Sequence, residues 1–131
     1  MKNNFFIILF FTIFILPLSA ENLNIQSSSI SIDKNTKLTI FKDKVVAIDA
    51  NNNELRSNYA EYDKNLKLLI SKGETTILTS EGFFLTGKDI IFDNEKNLIK
   101  SDNPAVINDL EKNNIYLEKF EYSTINKFFT S

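Results

Sequence analysis

The chain has no cysteine, no histidine and no tryptophan, and only 3 glycines and 2 prolines among its 131 residues. Lacking cysteine, it holds no disulfide framework; lacking both Cys and His, it offers no Cys/His zinc site, no His-ligated haem, no His general base and no Cys nucleophile. An excess of charge of one sign is also missing: 15 basic against 17 acidic residues leave a formal charge of −2, so there is no electrostatic footprint for nucleic acid. With so little glycine, Asp43 and Asn103 are expected to stand in for it at turns. A chain of this length holds at most one small domain.

Long apolar runs are scarce too, with one exception. The first twenty residues, MKNNFFIILFFTIFILPLSA, hold 5 of the 12 phenylalanines behind a short stretch carrying Lys2. The apolar run from Phe5 to Leu16 is 12 residues, well short of the ~20 that a membrane-spanning helix needs. Followed by Pro17 and Leu18-Ser19-Ala20, it reads as a secretory signal peptide over residues 1–20, the alternative being an uncleaved anchor. The mature chain is then 21–131, acidic and exported. It contains no cysteine, which a periplasm or cell surface permits.

What is present is a repeat of 30 residues. Ile30-Ser31-Ile32-Asp33 aligns with Ala60-Glu61-Tyr62-Asp63, with Ile90-Ile91-Phe92-Asp93 and, loosely, with Phe120-Glu121-Tyr122-Ser123. Leu38, Leu68 and Leu98 coincide, as do Leu55, Leu85 and Ile115. Such self-similarity marks an architecture in which each unit buries its apolar face against its neighbours. Within a unit, apolar and polar residues alternate over four to eight positions and β-branched and aromatic types dominate, so the expected elements are strands, about three per unit.

The breaks carry turn chemistry. Asp33, Asp63 and Asp93 are expected to accept hydrogen bonds from backbone N–H groups two residues on. Asp43, Gly73 and Asn103 occupy one repeat position and predict a recurrent positive φ there. Between Leu55 and Tyr62 the recurrent apolar positions are an odd number of residues apart, so strict alternation would place them on opposite faces; a bulge or bend between 57 and 60 restores a common face, with Gly87 marking the kink one repeat later. A strand bent midway can cross between two sheets. Stacked units then give two facing antiparallel sheets with an apolar interior.

The expected inward set follows the repeat. It comprises Ile30, Ile32, Leu38, Leu55, Ala60, Tyr62, Leu68 and Ile70 in the first half of the chain. In the second half it comprises Leu85, Ile90, Phe92, Leu98, Ile115, Phe120 and Tyr122. In the strand after each turn of the Asp43, Gly73 and Asn103 class, Ile77 and Ile107 are preferred inward over Leu78 and Asn108, while Lys100 and Asn108 interrupt the apolar faces of the third repeat. The in-phase aspartates sit at repeat-equivalent turns rather than in a cleft with two carboxyls at fixed separation, which disfavours glycosidase chemistry. No phosphate loop, nucleophile elbow or metal motif appears, so no cofactor is expected and an enzyme is not.

The segments Leu55-Arg56-Ser57-Asn58-Tyr59-Ala60-Glu61-Tyr62-Asp63, Ile70-Ser71-Lys72-Gly73-Glu74-Thr75-Thr76-Ile77 and Leu85-Thr86-Gly87-Lys88-Asp89-Ile90-Ile91-Phe92-Asp93 resemble the OstA-like family of lipopolysaccharide transport, the family of LptA and of the N-terminal periplasmic domain of LptD. The resemblance covers the chain from about Ser28 onward. It implies an all-β fold, a twisted β-jellyroll open along one seam, whose inward residues line a groove that shields lipopolysaccharide acyl chains on their way to the outer membrane. It implies a periplasmic location associated with the outer membrane, docking to other β-jellyroll transport proteins by edge strands, and an outer-membrane β-barrel as a further partner. Phe128-Phe129-Thr130-Ser131 aligns with Leu68-Leu69-Ile70-Ser71, so the sequence stops just before an expected turn, as a truncated LptD-like N-terminal piece or a short bridge protein would. Without the resemblance, a ligand-free structural or adhesive β-solenoid at the cell surface fits the same pattern.

Overall fold

Thirteen antiparallel strands in one meander make up the computed structural model, which describes residues 23–131; the expected signal peptide lies outside the described residues. The strands are β1 (Leu23–Gln26), β2 (Ser29–Ile32), β3 (Thr39–Asp49), β4 (Glu54–Asp63), β5 (Leu68–Ser71), β6 (Glu74–Leu78), β7 (Phe84–Lys88), β8 (Ile91–Asp93), β9 (Leu98–Ser101), β10 (Ala105–Asn108), β11 (Asn114–Leu117), β12 (Phe120–Ser123) and β13 (Phe128–Thr130). Pairing alternates along the chain. One half-sheet runs β1, the second half of β3, the first half of β4, β6, β7, β10, β11; the other runs β2, the first half of β3, the second half of β4, β5, β8, β9, β12, β13. Each 30-residue unit is therefore two long strands, each bent once, rather than three straight ones.

The bends form a common corner. In β3 the ladder shifts register between Lys42 and Val45, and the two residues skipped, Asp43 and Lys44, both have positive φ (64° and 55°), which marks a bulge. The expected phase change in β4 is present: Leu55, Ser57, Ala60 and Tyr62 are all buried. One repeat later the kink falls at Asp89 (φ 52°), between β7 and β8, and not at Gly87. Gly87 serves packing instead, since a Cβ there would meet the Ala105 Cβ at 3.4 Å. Positive φ recurs at Asp43 and Gly73 but not at Asn103, because the Pro104 ring holds the residue before it in extended backbone. These positions are corners between half-sheets, not chain reversals.

The reversals lie at the two free ends and are capped in phase. Asp33 Oδ1 accepts from Asn35 N at 2.8 Å, Asp63 Oδ1 from Asn65 N at 2.9 Å and Asp93 Oδ1 from Glu95 N at 3.1 Å, as the sequence leads one to expect. The left-handed residue comes four positions later, at Lys37, Lys67, Asn97 and Lys127. At the opposite end Asp49 and Asp109 accept from Asn53 N and Asn113 N, both at 2.8 Å, and Thr79 Oγ1 accepts from Phe83 N at 3.0 Å. There the left-handed residues are Asn52, Gly82 and Lys112. Aspartate and lysine thus carry most of the turn duty that glycine would otherwise take.

Candidate functional site

In an antiparallel ladder, residues directly opposite one another share a face. The registers therefore assemble the interior row by row. On the first half-sheet, Ile25, Ala47, Leu55, Ile77, Leu85, Ile107 and Ile115 stand in one row across seven strands. On the second, Ile32, Thr39, Tyr62, Leu69, Phe92, Ile99, Tyr122 and Phe129 form the facing row. Nearer the corner, Ile30, Phe41, Ala60 and Ser71 make a further row. A single polar residue, Thr39, enters the two long rows.

Thirteen of the expected inward residues are thereby on or beside the inner face: Ile30, Ile32, Leu55, Ala60, Tyr62, Ile77, Leu85, Ile90, Phe92, Ile107, Ile115, Phe120 and Tyr122. Four are not. Leu68 and Leu98 stand opposite Asp93, in the row of turn aspartates. Ile70 stands opposite Glu61 and Ile91 on the outer face. Leu38 precedes β3 and belongs to no strand. The cause is the capped turn. Its four loop residues put Asp63 opposite Leu68, and so Tyr62 opposite Leu69, which turns the whole return strand by one residue. The same register places Lys100 opposite Ile91 and Glu121, and Asn108 opposite Phe84, rows that face outward, so neither interrupts the interior. Among the hydrophobic residues missed by sequence reasoning, Leu69, Ile99 and Phe129 also recur every 30 residues. Their signal was there, one position beside a row of leucines that looked more uniform.

The interior is packed rather than empty. Leu55, Leu69, Ile77, Leu85, Phe92 and Ile99 are buried against one another. Clefts of about 340, 410 and 320 Å3 open elsewhere, beside Lys100 and Glu121, beside Arg56 and Thr76, and beside Lys88 and Pro104. At the corner a buried hydroxyl cluster repairs the interrupted ladder: Ser71 Oγ accepts from Ile90 N at 2.9 Å and pairs with Thr75 Oγ1 at 2.7 Å, and Ser101 Oγ donates to Lys88 O at 2.9 Å.

The two ends of the stack differ. At β2, the outer strand of the second half-sheet, the inner face is uncovered, with Ile30 59% and Ile32 70% exposed, although Phe41 beside Ile30 is buried. At the last strands the free ends of the half-sheets meet. Phe83 and Phe129 pack edge to face with centroids 5.6 Å apart, Tyr122 lies 4.5 Å from Phe129, and Lys127 Nζ pairs with Glu81 at 3.1 Å. Burial pushes the Tyr122 phenol above its ordinary value, an effect that its hydroxyl's interactions with Thr79 and Ser80 partly offset. Among the described residues no group of acidic side chains is arranged to hold a metal ion.

These features define an all-β, curled antiparallel jellyroll with apolar rows along both inner faces. The same fold is found in LptH of Pseudomonas aeruginosa, the LptA-homologous periplasmic component of a conserved lipopolysaccharide transport device: the likeness covers 86% of this chain and 82% of that one, with a TM-score of 0.65 at 18% sequence identity. Neither a protein-family model nor a curated protein sequence matches the chain.

Proposed function

We propose that the chain is a periplasmic lipopolysaccharide-binding module, a carrier and not an enzyme, which shields acyl chains between its half-sheets and passes them toward the outer membrane. The uncovered inner face at Ile30 and Ile32 carries this reading. A self-contained β-stack ends in a polar capping strand, whereas this one runs its apolar rows out into solvent. Acyl chains need no directional chemistry to bind there; their area leaves water at about 25 cal/mol per Å2. The likeness to LptH, a periplasmic transport component, supports the same assignment. So do the outer edges of β2 and β11, unpaired among the described residues, which suit docking of other jellyroll transport proteins and, at the receiving end, an outer-membrane β-barrel.

The competing reading is a ligand-free structural or adhesive solenoid, which the packed interior favours. Photo-crosslinking separates the two. With a photoreactive residue at Ile32 or Phe92, adducts with lipopolysaccharide are expected at both, and none from an outer-face control at Thr76. Adducts from the control alone would overturn the carrier reading.

A further inference from the structure

The packed interior and the carrier reading together require that the half-sheets separate, and the molecule shows where they are held. Of the four ion pairs among the described residues, three join neighbours within one half-sheet or strand, while Glu81–Lys127 spans the free ends of both. Glu81 lies in the turn before β7 and Lys127 in the turn before β13. Directly inside this pair, Phe83 from the first rim meets Phe129 from the second. The repeat equivalents of Glu81 and Lys127 one unit earlier are Asn51 and Asn97, which carry no charge, so the ion pair is particular to this end. Tyr122 packs on Phe129 from the same rim, with ring centroids 4.5 Å apart. Both charged side chains remain nearly half exposed, which makes the pair weak and sensitive to salt.

We propose that Glu81–Lys127 and Phe83–Phe129 form a clasp that closes the seam at the last repeats, and that it opens to admit or release an acyl chain. The proposal rests on the carrier reading for its ligand, but the clasp itself is a property of the protein alone. The mouth at Ile30 and Ile32 and the clasp at the other end give the interior two different ends, one uncovered among the described residues and one held shut by the clasp.

The test uses the absence of native cysteine. Spin labels at Ser80→Cys and Asn126→Cys report the distance between the rims, in the otherwise unaltered chain, in Glu81→Lys and in the charge swap Glu81→Lys/Lys127→Glu, each with and without a fluorescent long-chain fatty acid. The expected result is a narrow distribution in the unaltered chain and a longer, broader one in Glu81→Lys. The swap is expected to restore the narrow distribution, and fatty-acid uptake in Glu81→Lys to be several-fold faster than in the unaltered chain. A distribution that is equally narrow in all three chains, or measurable uptake that proceeds at one rate in all three, would overturn the clasp. If Glu81→Lys broadens the distribution and the swap restores it while no chain takes up the fatty acid, the clasp stands and the carrier reading falls.

Discussion

Tyr62 and Leu69 stand directly opposite each other across β4 and β5, and both are buried. That pairing sets the face of every residue in the return strand, so it can be tested by two neighbours. Leu69→Ala should cost about 2–5 kcal/mol, as removal of a buried leucine does. Ile70→Ala, on the outer face opposite Glu61, should cost about 1 kcal/mol or less. Urea unfolding of both variants checks the order; the reverse order would mean that the register is wrong.

The mouth should separate binding from stability. Ile32 is 70% exposed, so Ile32→Asp should change unfolding free energy by no more than about 0.5 kcal/mol while weakening association with lipopolysaccharide several-fold, measured by co-purification or by quenching of a labelled lipid. Unchanged association would remove the mouth from the site.

The corner depends on a hydroxyl. Ser71 Oγ is the acceptor for Ile90 N at 2.9 Å, in the break where β7 ends and β8 begins. Ser71→Ala leaves that N–H buried and unpaired, at a cost of about 1–3 kcal/mol. Amide hydrogen exchange at Ile90 should accelerate in the variant, and exchange at an unaltered rate would show that another group satisfies it.

Acid stability should report the capped turns. The Asp109 carboxyl is held below its ordinary value of 3.8, chiefly by the hydrogen bond from the Asn113 backbone N–H. A lowered native value means that the charged form favours the fold: the contribution is fully present above the unfolded-state value and is lost as pH falls through the native one. Asp109→Asn, which keeps an acceptor without the charge, should therefore flatten the stability-against-pH curve below about pH 4 and leave its shape near neutrality unaltered. Urea midpoints measured between these limits decide it, and an identical acid limb would exclude Asp109 as a contributor.

Much of this fold is legible in the sequence because it is a one-dimensional repeat. The period, the turn aspartates, the phase change in β4 and the apolar rows through Leu55, Leu85 and Ile115 all follow from spacing alone. What spacing does not contain is the register between successive strands. The row Leu38, Leu68, Leu98 is as regular as the row Thr39, Leu69, Ile99, and only the number of loop residues behind Asp33, Asp63 and Asp93 decides which of them turns inward. Corners were equally hidden. Asp43, Gly73 and Asn103 look like hairpin turns because the same backbone conformations serve reversals and bends, and the difference appears only when the strands on either side are found to pair with neighbours and not with each other. The clasp was beyond reach for a third reason: Glu81 and Lys127 are 46 positions apart and meet through the curl of the sheets, which no local pattern records.

Because every strand pairs only with the passes before and after it, the molecule is built like a ruler marked in 30-residue steps. Adjacent strands are spaced about 4.8 Å apart, so one unit of two strands lengthens the trough by about 10 Å. Duplicating the stretch from Glu54 to Phe83 in frame would insert such a mark without changing either end, and the reach of the interior could be set by copy number, with no new contact to invent.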